Sequence, residues 1–417
     1  MPPDLSLLRG RFPSLSRTID GHPCVFADAP GGTQVPESVI EAIDAYLRRS
    51  NANTGGAFET SRETDEAIAA GRRAAADFMG GDPTEIVFGA NTTSLAFSLS
   101  RSMAKVLSPG DEIVLTVLDH DANVAPWLAI AREAGAHVRW VDLCEEDCTL
   151  DLATLESSLG GRTRIIAFTL ASNAVGSITR AADAIRLVRA IAGTQAIVVA
   201  DAVHLAPHAA LDVRSLGVDV AFCSAYKFFG PHLGIMWGRR DRLEEWQPYK
   251  VRPASDQVPD RWETGTLAHE AIAGLTAAVE YISDMGRALT PTTGSDRRAN
   301  VVCGMDSIRQ YEQMLSERFL RGLQNLPNIR LYGIADPARV DGRTPTFALR
   351  IRDRSPREVA EELGRRGIFV WDGDYYALAV MERLGLQETG GCLRIGFCHY
   401  NTIEEVDRVL SELATFS

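Results

Sequence analysis

From about residue 85 onward, short runs rich in β-branched residues alternate with longer helical patterns. Few architectures accept that alternation. Residues 85–88, 112–118, 137–141, 164–170, 196–201, 218–224 and 234–238 read as strands. Helical patterns over 92–105, 122–134, 152–159 and 180–191 lie between several of them. Strands alternating with helices of this length imply βαβ crossovers and a largely parallel sheet, hence an α/β fold. Continuous apolar runs such as Ile197-Val198-Val199 suit strands covered on both faces.

After about residue 290 the pattern changes. Residues 297–326 read as one long helix. Strands are expected over 345–351, 368–371 and 392–397, with helices over 356–366 and 402–414. This predicts a smaller C-terminal α+β domain over 291–417, following a large domain over 51–290. Residues 1–50 are expected to pack partly on the small domain. The stretches 32–36 and 290–294 read as loops.

Composition narrows the functional classes. The 417 residues carry 43 Lys and Arg against 55 Asp and Glu, a net charge of -12. An acidic surface argues against nucleic acid or an anionic membrane as partner. No run of 18 apolar residues occurs, and the first residues lack the apolar core of a secretory signal. The seven cysteines are odd in number, and the Cys144/Cys148 spacing has no second pair to complete a metal site. A cytoplasmic protein with free thiols and no metal is expected.

Only three lysines occur: Lys105, Lys227 and Lys250. Lys227 follows the strand at 218–224, among apolar and aromatic residues. Desolvation there would lower its pKa and free the amine as a Schiff-base nucleophile. Lys105 and Lys250 read as solvated. Asp201 closes the strand at 196–201, where a carboxylate points into the ligand crevice of an open α/β sheet. Asn91, Thr92 and Thr93 join a strand to a helix, a setting that suits a phosphate dianion. No P-loop lysine and no G-x-G-x-x-G accompanies them, which disfavours nucleotide sites. His120 and Asn173 follow two further strands. Taken singly, each residue has an ordinary reading as a cap, turn or surface residue. Their joint placement at one sheet edge supplies the parts a pyridoxal phosphate site needs: a lysine, a carboxylate for the ring nitrogen and a phosphate cradle.

Together these residues resemble the class V aminotransferase family of fold-type I pyridoxal phosphate enzymes, and within it the cysteine desulfurase and selenocysteine lyase branch. The resemblance runs from Phe26-Ala27-Asp28-Ala29 to the C-terminus. It implies a large domain with a mainly parallel seven-stranded sheet and pyridoxal 5'-phosphate as cofactor. It assigns Asn91, Thr92 and Thr93 to the phosphate, His120 to ring stacking, Asn173 to the ring oxygen and Asp201 to the ring nitrogen. His204 stands where desulfurases usually have Gln. Ser224 and Tyr226 take phosphate-binding positions beside the imine-forming Lys227. Gly265-Thr266 resembles a segment that one subunit lends to its partner's phosphate, which implies a homodimer with shared active sites. Arg394 resembles the substrate-carboxylate arginine. Asn53, Tyr376 and Arg394 are the expected substrate contacts, with Lys227, His120 and Asp201 as catalytic residues.

One departure bears on the reaction. Tyr376 falls about where desulfurases carry the cysteine that accepts sulfur, and Cys392 and Cys398 flank Arg394 instead. The expected reaction is therefore C–S cleavage by β-elimination on cysteine or an S-substituted cysteine. Amino transfer, epimerisation, decarboxylation with deamination, and persulfide-forming desulfuration are the alternatives. A non-catalytic binding protein is opposed by the pairing of Lys227 with Asp201. Trp371, Tyr375 and Tyr376 either line a pocket for something larger than cysteine or pack between domains.

Overall fold

The computed structural model describes residues 5–289 and 296–416. The loop expected at 290–294, and with it the expected domain boundary, lies outside the described residues.

The main sheet has seven strands: β1 (Ile86–Gly89), β2 (Glu112–Thr116), β3 (His137–Val141), β4 (Thr163–Thr169), β5 (Ile197–Asp201), β6 (Val220–Ser224) and β7 (Gly234–Gly238). Their order is β1-β7-β6-β5-β4-β2-β3. β2 through β6 pair in parallel, and β7 runs antiparallel to both β1 and β6. Only residues 225–233 separate β6 from β7, too few for a crossover helix, so the chain can only fold back. Successive side chains alternate between two apolar layers. Val114, Ile166, Val198 and Ala221 face one; Ile113, Ile165, Val199 and Phe222 face the other.

A second, antiparallel sheet comprises β8 (Ile329–Tyr332), β9 (Thr346–Ile351), β10 (Trp371–Gly373) and β11 (Cys392–Gly396), in the order β8-β9-β11-β10. The single strand expected over 368–371 is two pieces. Ile368–Phe369 pairs in parallel with Val25–Phe26, whereas Trp371–Gly373 pairs with β11. Partners in two different sheets force the chain to change direction at Val370. The helices Glu37–Arg49, Glu59–Met79 and His269–Leu289, and the strand β8, were not expected from the sequence. Among the described residues, no helix is long and apolar enough to cross a membrane.

Candidate active site

Parallel strands deliver their carboxyl ends to one edge, and here the ends of β2, β4, β5 and β6 do so. Asp201 is the last residue of β5 and only 5% exposed. Its Oδ1 accepts a hydrogen bond from the Val203 amide at 2.8 Å. Burial raises its pKa to about 6, against the opposing pull of that amide and of Lys227. Lys227 leaves β6 through the short turn Ala225–Lys227 and donates from Nζ to the Pro30 carbonyl. Burial lowers its pKa to about 7, the Arg394 charge adds to this, and Asp201 opposes it. Lys105 is exposed and lies 4.3 Å over the Tyr249 ring. Lys250 is less solvated than the sequence suggested: it is partly buried and ion-paired to Asp256 at 3.1 Å.

His120 accepts the Ala122 amide on Nδ1 at 3.0 Å. Burial first, then Lys227 and Arg394, lower its pKa to about 4, so the ring is neutral. It stacks on Tyr376, with centroids 5.6 Å apart and planes 22° apart. Buried Asp119 braces this turn by accepting from Asn123 Nδ2 at 2.7 Å and from Thr116 Oγ1. On the other side, Asn91 caps the helix Thr92–Met103, its Oδ1 taking the Ser94 amide at 2.8 Å. Thr92 Oγ1 donates to the Cys223 carbonyl at 3.0 Å and shares a hydrogen bond with Ser224 Oγ. The turn lies so close to β7 that a Cβ on Gly234 would stand 2.4 Å from the Asn91 carbonyl carbon. His204 turns its Nε2 to the Thr346 and Thr344 hydroxyls at 3.1 and 3.3 Å, and burial holds it neutral.

Asn173 Nδ2 donates to the Tyr375 carbonyl at 3.0 Å, and its own carbonyl accepts Arg394 Nη1 at 2.8 Å. Arg394, on β11, is buried, and burial lowers its pKa to about 10.

Every expected cofactor-binding residue except Thr266 lines one cavity. That cavity shares His120, Asn173, Tyr226 and Lys227 with a larger cleft of about 790 Å³, which also contains Arg394 and Tyr376. Asn53 and Thr266 are not brought there. Both line a separate surface groove beside Asp65 and Val251. No cysteine lines the cavity or the cleft among the described residues. His208, Glu312 and Cys398 place ligand-type atoms within 4.8 Å of one another in the interior. His208 Nδ1 and Glu312 Oε2 already engage each other there at 2.8 Å.

Sequence reasoning missed Asp28 and Pro30 as site residues, whereas Tyr375, for which it left pocket lining and domain packing both open, lines the cleft. Asp28 is half-buried with its Oδ1 shut away from solvent, and its pKa is raised to about 6 by desolvation, with the charge of Arg394 opposing. Its only local signal was its place in the segment where the family resemblance begins.

Pyridoxal phosphate fits this donor set. Asn173 Oδ1 and Arg394 Nε are buried without a hydrogen-bond partner, and both residues line the cleft. The N-terminus of the helix Thr92–Met103, with Thr93 and Ser224, offers donors to a dianion. Asp201 is a buried carboxylate whose desolvation a protonated ring nitrogen would offset.

The seven-stranded α/β fold and this cavity define a fold-type I pyridoxal phosphate-dependent enzyme. The aminotransferase class-V model matches residues 25–409, and the chain belongs to that family. An uncharacterised protein of Mycobacterium tuberculosis is 30% identical over 99% of both chains. A cysteine desulfurase of Pectobacterium carotovorum is 29% identical over 97% of this chain and 96% of its own. The apo structure of a cysteine desulfurase from Thermococcus onnurineus superposes with a TM-score of 0.84, at 25% identity, covering 97% of this chain and 98% of that one.

Proposed function

We propose that the protein cleaves the C–S bond of cysteine or an S-substituted cysteine by β-elimination. The observation that carries this reading is the cleft itself. A half-buried lysine whose amine is lowered to a pKa of about 7 and a buried arginine share it, and no thiol lines it among the described residues. The cysteine desulfurases among the relatives support a sulfur-bearing substrate.

Bound pyridoxal phosphate supplies an electron sink for the bond broken at Cα. Arg394 takes the substrate carboxylate through a charge-assisted pair, its free Nε adding a second donor. Lys227, depressed toward neutrality, accepts the Cα proton. The C–S bonding pair leaves with sulfur as a thiol. Water then completes the balance, so the S-substituted cysteine and one water give pyruvate, ammonia and the thiol. Asp201 would hold the ring nitrogen through its carboxylate, and His120, neutral in its buried setting, would hold the ring by stacking.

The reading includes a homodimer with composite sites. Asn53 and Thr266 lie in a groove of their own, which suits a segment lent to a partner's site. The test of the reaction is to incubate the holoenzyme with cysteine and S-alkyl cysteines and to identify products by mass spectrometry. Pyruvate and free thiol in equal amounts are expected, and both vanish with Lys227→Ala. A pyridoxamine form of the cofactor with no thiol released would establish amino transfer instead.

A further inference from the structure

The cleft is graded in charge. Lys227 lines both the cleft and the inner cavity and Arg394 is buried, which sets them on its floor, whereas half-buried Asp121 and Asp374 line the cleft alone and form its outer wall. Asp374 Oδ1 accepts the Tyr376 amide at 2.9 Å, and its Oδ2 lies 3.5 Å from Gln387 Nε2. Asp372, by contrast, is neutralised by Arg357 at 3.1 Å. Among the described residues, neither Asp121 nor Asp374 is ion-paired to a Lys or Arg. The Asp121 carboxyl is pushed up by partial burial and then by the charge of Asp374, so the two carboxylates sense each other. Aromatic residues complete the wall. Tyr376 is 75% exposed on its stack with His120. Phe97 and Trp371 are also partly exposed, the latter seated against Gly31, where a Cβ would meet its Nε1 at 2.2 Å. Buried Arg394, with its unpartnered Nε, marks where the substrate carboxylate enters.

We propose that this cleft selects an amino acid whose side chain ends in a cation, recognised by Asp121 and Asp374 and walled by Tyr376, Phe97 and Trp371. An amino acid anchored on Arg394 directs its side chain outward, from the basic floor to the acidic and aromatic wall. Two carboxylates repelling each other are relieved by a cation between them. Aromatic faces add attraction for the same charge. Among the described residues of the wall none is cationic, and Arg357 beside it is already taken by Asp372, so an anionic side chain finds no compensation there. The inference rests on the reading of the site as one for amino acids with extended S-substituents.

The test compares three S-substituted cysteines of similar length on the holoenzyme: S-(2-aminoethyl)-cysteine, S-propylcysteine and S-carboxymethylcysteine. The aminoethyl compound is expected to exceed the propyl compound in kcat/KM by about tenfold, with the carboxymethyl compound poorest. In the Asp121→Asn/Asp374→Asn double variant the ratio should fall to within about threefold. Retention of the bound cofactor's visible absorbance checks that the variant is folded. Binding of lysine against norleucine to borohydride-reduced holoenzyme, by calorimetry, reads the side-chain preference with no turnover. Equal affinities there, or a preference that survives in the double variant, would overturn the proposal. If lysine binds preferentially and no thiol is released from any compound, the C–S cleavage reading fails and the cation preference stands. Thiol release without charge preference gives the converse.

Discussion

Arg394 holds its guanidinium 4.2 Å from the centroid of the Tyr375 ring. The tyrosine is fixed in turn, because its hydroxyl donates to the Cys392 carbonyl and its own carbonyl accepts from Asn173. Its backbone sits at φ 58°, in the left-handed region that a non-glycine residue adopts only when its surroundings impose it. The Arg394 side chain is therefore aimed by a ring, by the Asn173 carbonyl and by strand β11, with no ion pair to it among the described residues.

This aim can be tested. Tyr375→Ala removes the ring beneath a desolvated guanidinium, a contact of about 1–2 kcal/mol. KM for an amino-acid substrate should rise about tenfold, with kcat changed much less, because carboxylate binding is equal in ground and transition states. Tyr375→Phe keeps the ring and should stay within about threefold. Steady-state kinetics on both variants decide the matter. Equal losses in the two would assign the effect to the hydroxyl.

Lys227 gives cofactor-free protein a distinctive pH dependence. Its amine has a pKa of about 7 when folded and 10.5 as the ordinary value. Between those pH values the unfolded amine holds a proton that the folded one lacks, so stability rises with pH across the window. Below pH 7 both forms are charged and the full cost of burial applies. Lys227→Met abolishes this contribution. Melting temperatures of cofactor-free wild type and variant should differ most at pH 6 and converge toward pH 10. A constant difference across that range would show that the amine is solvated.

The turn that carries Asn91 and Thr92 depends on the missing side chain at Gly234. A methyl there would approach the Asn91 carbonyl carbon to 2.4 Å, and β7 backbone pairing leaves it no room to yield. Gly234→Ala should displace the helix N-terminus and weaken cofactor retention by about tenfold or more, at a stability cost of about 1–3 kcal/mol. Equilibrium dialysis of the cofactor and a thermal melt measure the two effects. Unchanged retention would place the phosphate elsewhere.

The site was legible in the sequence where one strand supplied one residue. Asp201 ends a strand and Lys227, His120 and Asn173 each follow one, and parallel strand order must gather such positions at one edge. Pairing between distant segments was not legible. Val25–Phe26 meets Ile368–Phe369 across more than 300 residues. That pairing brings Asp28 and Pro30 to Arg394 and Lys227, and no local pattern announces it. The helices Glu37–Arg49 and Glu59–Met79 went unread because no strand beside them marked a repeating unit. Asn53 and Thr266 illustrate a further limit. Both line a groove apart from the cleft, and the contribution to a partner's site proposed above would leave no trace in the periodicity of a single chain.

The fate of sulfur is the sharpest test of the reaction. A persulfide needs a thiolate that can reach the substrate. Cys392 and Cys398 are fully buried, and neither lines the cleft. Burial pushes the Cys392 thiol up to about 12 and Cys398 well above its ordinary value. At neutral pH the thiolate fraction of Cys392 is then about one in 10⁵, far too small for an efficient nucleophile. Tyr376, which the family resemblance puts about where a desulfurase carries its cysteine, lines the cleft, and its hydroxyl has no sulfur chemistry. The leaving sulfur should therefore depart as a free thiol. Cys392→Ala and Cys398→Ala, singly and together, should leave thiol release within about tenfold, or about 1.4 kcal/mol of barrier. Iodoacetamide applied to native enzyme during turnover should leave both residues unlabelled. Arg394→Ala should cost far more in kcat/KM, since it deletes the carboxylate contact. A persulfide trapped on either cysteine, or loss of activity in the double variant with its cofactor absorbance intact, would replace simple elimination with sulfur transfer to the protein.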